Sequence, residues 1–253
     1  MSFEDYALTH STLRRIGRVG GGCSGALFGN RLVLTAAHCI FNGAGQYQQF
    51  VTFQARRNGS ELPYGTVTSQ GVLYPIAFKN DGCNTTLTNA CVKFDWAVMI
   101  LPPNPWAGSP NGSPGYLGFA ASSDSVVASW APRNVGYPGC GGAMSPTPCV
   151  DNVAYGDLSC AGVQASLSGA DNRWPLNGVK GRMDNGCDTS PGHSGGPIYS
   201  YSPGSNGPYL IGNAVWNTCN SSTCNSQSQY SNAGVRISPT MFDWMLGLRA
   251  QYP

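Results

Sequence analysis

Residues 187–199 read CDTSPGHSGGPIY, a serine set among glycines and followed at once by a short apolar run. A serine hydroxyl becomes a nucleophile only beside a base that takes its proton and a third group that orients that base. It also needs amide donors where the oxyanion forms. Two other phrases supply the missing parts. LTAAHC (34–39) carries His38 in a tight turn after an apolar strand, and FDWAVMIL (94–101) carries Asp95 at the head of another. Taken singly, each is ordinary: a packed core histidine, a turn aspartate, a loop serine. Three together, in the order His38, Asp95, Ser194 and with Cys23 and Cys39 bracketing the histidine, point to a single nucleophilic site.

Composition narrows the setting. A chain of 253 residues with 34 glycines and 18 prolines reads as many short strands joined by turns, and all-β folds reach this size as one domain. Only 10% of the residues are charged and the net charge is +2, which is not the clustered basic footprint of a nucleic-acid binder. No apolar run approaches the roughly 18 residues that would span a bilayer. The opening MSFEDYALTHS lacks the basic start and apolar run of a secretory signal.

The ten cysteines argue for an oxidising compartment. Cys23 and Cys39 flank one apparent hairpin, while Cys83 with Cys91, Cys140 with Cys149, and Cys219 with Cys224 close short polar loops, leaving Cys160 and Cys187. Five disulfides are the economical reading, although spacing alone does not fix their pairing. A zinc site is the rival, but the chain has no C-x-x-C pair and only three histidines. An extracellular protein is therefore expected, one whose leader is not part of this sequence.

Strand-like runs occur at SGALFGNRLVLT, FDWAVMIL, GGPIYSY, PYLIGNAVWN and NAGVRIS. The end differs: in SPTMFDWMLGLRAQY, Ser238 is a candidate N-cap with Pro239 at the first helical position. Phe242, Met245, Leu246 and Arg249 follow at helical spacing, predicting a helix over about 239–250. The Gly-, Pro- and Ser-rich stretch 102–115 suits a joint between two halves.

The phrases LTAAHC, FDWAVMIL and GHSGGP together resemble the histidine, aspartate and serine motifs of the chymotrypsin-type serine peptidases, and the chain order is that of this family. The whole phrase CDTSPGHSGGP is nearest the glutamyl endopeptidase-like branch. The resemblance is close late in the chain, rests on motifs in the first hundred residues, and does not touch residues 102–180. It implies an all-β fold of two packed six-stranded antiparallel barrels with a C-terminal helix, in a single domain over 1–253. The N-terminal half would be 1–118 and the C-terminal half 119–253. It also implies that Ser194 attacks a peptide carbonyl, His38 moves the proton and Asp95 holds His38, while the amides of Gly192 and Ser194 form the oxyanion hole.

His193 departs from the pattern, because animal members carry aspartate there. In animal trypsins a freshly cut N-terminal amine pairs with that aspartate and shapes the oxyanion hole. Here RVGGG (18–22) imitates such a cleavage site, but Val19 lies only four residues before Cys23, too short a tether to swing across. The hole is therefore expected to be ordered by local packing, with His193 a structural residue and contact with substrate the alternative. A role for His193 as the base is not expected, since adjacent side chains on a tight turn point in different directions.

The residues expected to line the specificity pocket disagree. Asp188 sits six residues before Ser194, where trypsins hold the acid that pairs with Lys or Arg, and Gly234 matches the glycine that keeps such a pocket open. Against them, Arg236 stands two residues later on the same strand and Thr189 offers a hydroxyl suited to an acidic substrate group. Val215 stands where glutamyl endopeptidases place a histidine before Trp216, and Asn217 replaces a common glycine. The balance leans to cleavage after Arg or Lys, with acidic residues as the alternative. Trp216 and its strand would pair with an extended substrate backbone. No metal or cofactor is expected, no nucleic-acid or membrane partner, and a monomer. A catalytically silent binding module of the same fold is the remaining alternative.

Overall fold

The computed structural model describes residues 12–253 apart from 124, 127–128, 130–131, 141–148, 158–162, 166–170, 178–179, 186, 188, 202–207 and 218–231. Asp188, Cys160, Cys219 and Cys224 lie outside the described residues.

The first sheet is built from β1 (Ile16–Val19), β2 (Cys23–Gly29), β3 (Leu32–Thr35), β4 (Thr52–Ala55), β5 (Val67–Thr68), β6 (Gly71–Leu73) and β7 (Ala97–Ile100). Its strand order is β5-β4-β1-β2-β3-β7-β6. The two outermost strands, β5 and β6, are joined by residues 69–70 alone, a link that spans at most about 10 Å. The sheet must therefore curl until its ends meet, which makes it a barrel. A short helix, α1 (Ile76–Asn80), follows β6.

The second sheet holds β8 (Gly118–Phe119), β9 (Arg133–Gly136), β10 (Tyr155–Asp157), β11 (Val163–Ala165), β12 (Arg182–Asn185), β13 (Pro197–Tyr201), β14 (Pro208–Asn217) and β15 (Asn232–Arg236). The order β10-β9-β13-β14-β15-β12-β11 repeats the arrangement, since β10 and β11 are again consecutive in the chain. Short β8 joins from outside, parallel to β14. The expected double barrel is thus present, with seven and eight strands where six each were expected. The additional strands are two- and three-residue pieces at the sheet margins.

Burial at every position explains why β3 and β7 are apolar throughout except at Thr35. Val33, Ala97 and Met99 face the interior of the first barrel with Leu27, Phe53 and Trp106. The alternate residues Leu32, Leu34, Val98 and Ile100 face the second half, where Val135, Tyr199, Leu210 and Val235 meet them. A strand buried on both faces reads as a continuous apolar run. Inside the second barrel, Met183, Ile198, Ile211 and Ala214 form a smaller cluster.

The chain closes with α2 (Pro239–Gln251). Ser238 caps it, its Oγ accepting from the Met241 amide at 3.1 Å and donating to the Pro175 carbonyl at 2.7 Å. The buried face is Met241, Met245 and Leu248, whereas Leu246 points outward with 45% of its surface exposed. Trp244 of α2 packs edge-on against Trp96 and Trp174, with ring centres 5.2 and 5.4 Å away. That contact fixes the residue next to Asp95. Among the described residues no helix is long and apolar enough to cross a membrane.

Disulfides join Cys23 to Cys39, Cys83 to Cys91 and Cys140 to Cys149, as their proximity in sequence suggested. Cys187 is also disulfide-bonded.

Candidate active site

His38 sits on a single 3-10 turn, Ala37–Ile40, immediately after β3. Asp95 ends another such turn, Val92–Phe94, just before β7. Because β3 and β7 are paired neighbours, with Thr35 opposite Ala97, both residues emerge at the same end of the first barrel. The fully buried Asp95 carboxylate accepts twice from one residue: Oδ1 from the His38 amide at 2.8 Å and Oδ2 from His38 Nδ1 at 2.6 Å. A carboxylate can only accept, so Nδ1 carries the hydrogen and Nε2 is left with its lone pair. Burial opposes charge on the imidazole, yet the adjacent Asp95 charge and the hydrogen bond to it together outweigh burial. The His38 pKa is raised above its usual value.

The second half contributes the serine turn and a brace. Asn213 of β14 donates from Nδ2 to the Asp95 carbonyl at 3.3 Å. Beyond Asn213, β14 stops pairing with β13, because Pro197 is the first residue of β13 and lies opposite Asn213. Its next partner on that side is the serine turn itself: Gly195 N donates to Ala214 O at 2.7 Å and Ala214 N to Gly196 O at 2.8 Å. The register with β15 shifts between Ala214 and Trp216, leaving Val215 as the extra residue.

The carbonyls through the serine turn are held one by one. Pro191 O accepts from Gly139 N at 3.0 Å, Gly192 O from Ser24 Oγ at 2.7 Å, His193 O from Gly196 N at 2.7 Å, and Ser194 O from Ser24 N at 2.8 Å. A trans peptide points its N–H opposite to its C=O. Fixing Pro191 O and His193 O therefore aims the Gly192 and Ser194 amides away from the body of the turn. Among the described residues these two amides have no acceptor, while those of His193, Gly195 and Gly196 do. Such a pair of free, fixed donors is what an oxyanion needs. Gly192 has φ +102°, and a side chain there would collide with the Tyr137 carbonyl. Gly195 has φ +79° and lies against Thr35 and Ala36, which brings the serine turn beside the His38 turn.

His193 is turned inward, with 5% of its surface exposed. Its Nδ1 accepts from the Ser190 amide at 2.9 Å, with Ser190 Oγ at 3.1 Å, and its Nε2 donates to the Tyr155 carbonyl at 3.1 Å. Burial lowers its pKa.

The remaining sequence candidates are placed as follows. Thr189 is half-buried, two residues after Cys187. Val215 is core, and the backbone of Trp216 and Asn217 continues β14 opposite Ala233 and Asn232. Their side chains, like Asp188, are outside what is described. A Cβ on Gly234 would meet the Asn213 carbonyl and Ile198 Cδ1, each at 2.5 Å, so close strand packing requires a glycine there. Arg236 is buried, 3% exposed, and donates to the Ser122 carbonyl. Arg18 and Val19 lie within β1, paired on both sides with β2 and β4. Ser24, Asn213 and Tyr155 carried no signal in the sequence: each acts across more than a hundred residues or through its backbone.

Cys23, His38 and Cys39 form the one group among the described residues close enough to share a metal ion. Both sulfurs belong to a disulfide and offer no thiolate, so the group does not fit a metal.

Two barrels whose interface carries an aspartate-bound histidine beside a serine turn define the class of the chymotrypsin-fold serine peptidases. The chain belongs to the trypsin-like peptidase family, whose domain model matches residues 23–205. Over 121 residues it is 29% identical to the glutamyl endopeptidase of Bacillus licheniformis, a stretch covering 47% of this chain and 33% of that protein. The match thus spans a third of that relative's length. A solved Glu endopeptidase superposes with a TM-score of 0.62 at 17% identity, over 94% of this chain and 92% of its own. A thermostable serine protease from an extremophilic microorganism does so with 0.64 at 13%, over 96% and 99%. At these identities the solved structures are alike in fold.

Proposed function

We propose that the protein is an extracellular serine endopeptidase that cleaves protein or peptide substrates through an acyl-enzyme on Ser194. The observation that carries this reading is the buried Asp95 carboxylate, which takes both the backbone and the ring of His38 and leaves Nε2 as a base. Ser194 Oγ attacks the peptide carbonyl and gives its proton to His38 Nε2. The oxyanion forms against the Gly192 and Ser194 amides, and His38 returns the proton to the leaving amine. Asp95 stabilises the imidazolium in between. The disulfides support an oxidising compartment.

The substrate backbone pairs with β14 at 215–217, past the start of β13, so its acyl side lies against the second half. Its leaving side runs over the first, where a cavity of about 490 Å3 opens beside His38. The Cys23–Cys39 disulfide, Phe41 and Phe50 wall this cavity. Preference for Arg or Lys rests on Asp188, six residues before Ser194. A second reading, preference for acidic residues, is favoured by the glutamyl endopeptidase relative.

The test combines a fluorophosphonate probe with a peptide-library cleavage profile. Wild type takes the label and Ser194→Ala does not, while remaining folded and losing proteolysis. Turnover by Ser194→Ala near wild type rejects the assignment. Cleavage after Lys or Arg, or after Glu or Asp, decides between the two preferences.

A further inference from the structure

His193 occupies a position that a packing residue alone would not need to fill with an imidazole. The sequence Ser190-Pro191-Gly192-His193 forms a turn in which proline precedes a positive-φ glycine, and the His193 amide closes it on the Ser190 carbonyl at 3.0 Å. The ring then closes the same turn a second time from outside, through Nδ1 and the Ser190 amide. Its other nitrogen leaves the turn and reaches the Tyr155 carbonyl on β10. The ring also fills the space that Gly136 of β9 leaves open, where a Cβ would lie 2.5 Å from His193 Cδ2.

Both principal partners are backbone groups with fixed polarity. An amide N–H only donates and a carbonyl only accepts. The bridge therefore needs one acceptor and one donor on opposite edges of a rigid ring, which only the neutral imidazole with hydrogen on Nε2 supplies. A carboxylate would satisfy Ser190 and set its second oxygen against the Tyr155 carbonyl. The Ser190 carbonyl lies 3.3 Å from Nδ1 and already accepts the His193 amide. An Nδ1–H would turn toward it and give up the Ser190 amide.

We propose that neutral His193 is the positioning residue of the oxyanion hole, tying the Ser190–His193 turn to β10 and thereby aiming the Gly192 amide. This rests on the reading of Ser194 as nucleophile. His193 touches neither substrate nor the reacting atoms; it acts through the Pro191–Gly192 peptide, whose carbonyl Gly139 holds from the other side. The role links a residue inside the second barrel to transition-state stabilisation rather than to substrate affinity.

Two measurements test it. Imidazole 15N spectroscopy of the intact protein reads the tautomer whatever the activity, and hydrogen on Nε2 with bare Nδ1 is expected. A His193 ring carrying hydrogen on Nδ1 at neutral pH overturns the proposal. Kinetics of His193→Ala should then show kcat down about 100-fold with KM changed little, the scale of one misaligned oxyanion donor. His193→Asn, whose Oδ1 stands where Nδ1 stood, keeps the Ser190 bond and should recover part of that loss. His193→Asp should recover none. An active wild type with unchanged kcat in folded His193→Ala sinks the positioning role alone. A wild type that neither turns over nor takes the serine label sinks the peptidase reading and the oxyanion role with it.

Discussion

The rings of His38 on the first barrel and His193 on the second are both held by hydrogen bonds in the cleft wall, but by opposite kinds of partner. His38 faces a carboxylate, a full negative charge that favours the imidazolium even though burial resists it. His193 faces an amide and a carbonyl, fixed dipoles that fit only the neutral ring, and burial pushes the same way. One environment is arranged for a proton that comes and goes, the other for a proton that stays where it is. His193 is the more enclosed of the two, 5% exposed against 27% for the His38 side chain, but it is the partner's chemistry that sets the direction of each shift.

The sharpest way to break this comparison is to remove the charge from the first region and leave its shape. Asp95→Asn keeps an oxygen for the His38 amide but presents an NH2 to Nδ1, forcing the hydrogen onto Nε2 and leaving no base toward Ser194. A fall in kcat on the order of 10,000-fold is expected from single-turnover kinetics at neutral pH. A loss below about tenfold, smaller than general-base assistance contributes, would mean that Asp95 does not set the tautomer.

A smaller effect separates the two histidines by the sign of their linkage to stability. His38 has a folded pKa raised above the unfolded value of about 6.5, so its contribution is fully present below that pH and fades as pH rises through the folded pKa. His193 has a depressed folded pKa, so its contribution is present above about 6.5 and is lost as pH falls through the folded value. Denaturation midpoints measured across pH should therefore show His193→Gln losing less stability than wild type on acidification. The same slope in both proteins would show that His193 is not held neutral. The acid limb of kcat/KM should lie above 6.5, set by His38, so the base is switched off before the oxyanion turn is disturbed.

The parts of the molecule legible in the sequence are those where one local pattern suffices. LTAAHC and FDWAVMIL mark strands buried on both faces and the turns at their ends, and Ser238-Pro239 marks the cap of α2. Helical spacing through Leu246 marks the helix but not its buried face, because spacing alone does not say which apolar stripe meets the core, and Leu246 is exposed. Strands such as Val67–Thr68 and Gly118–Phe119 are too short to carry any alternation, and the sheet, not the segment, makes them strands. In the site, His193 stood out in the sequence and its structural role was expected. The reason was not readable, since Tyr155 meets it through a backbone carbonyl that any residue would supply. Ser24 was equally silent: an ordinary strand serine becomes the anchor of the turn only when the halves pack.

The Cys23–Cys39 bond ties these observations to the chain's history before it is an enzyme. Cys23 precedes Ser24, which holds the serine turn, and Cys39 follows His38, so one covalent link closes over both the base and the anchor of the hole. Closing a loop with a sequence separation of 16 contributes about 3 kcal/mol in the chain-entropy account, enough to steady two turns without deciding whether the barrel folds. A chain with only these two thiols reduced and its other disulfides in place would on that account keep the barrel while the His38 turn and the Ser24 anchor loosen, so that oxidation here completes the cleft after the fold. Mild reduction of the native protein should cost proteolysis before it costs near-ultraviolet circular dichroism; the two signals falling together would place the bond in the fold and not in the timing.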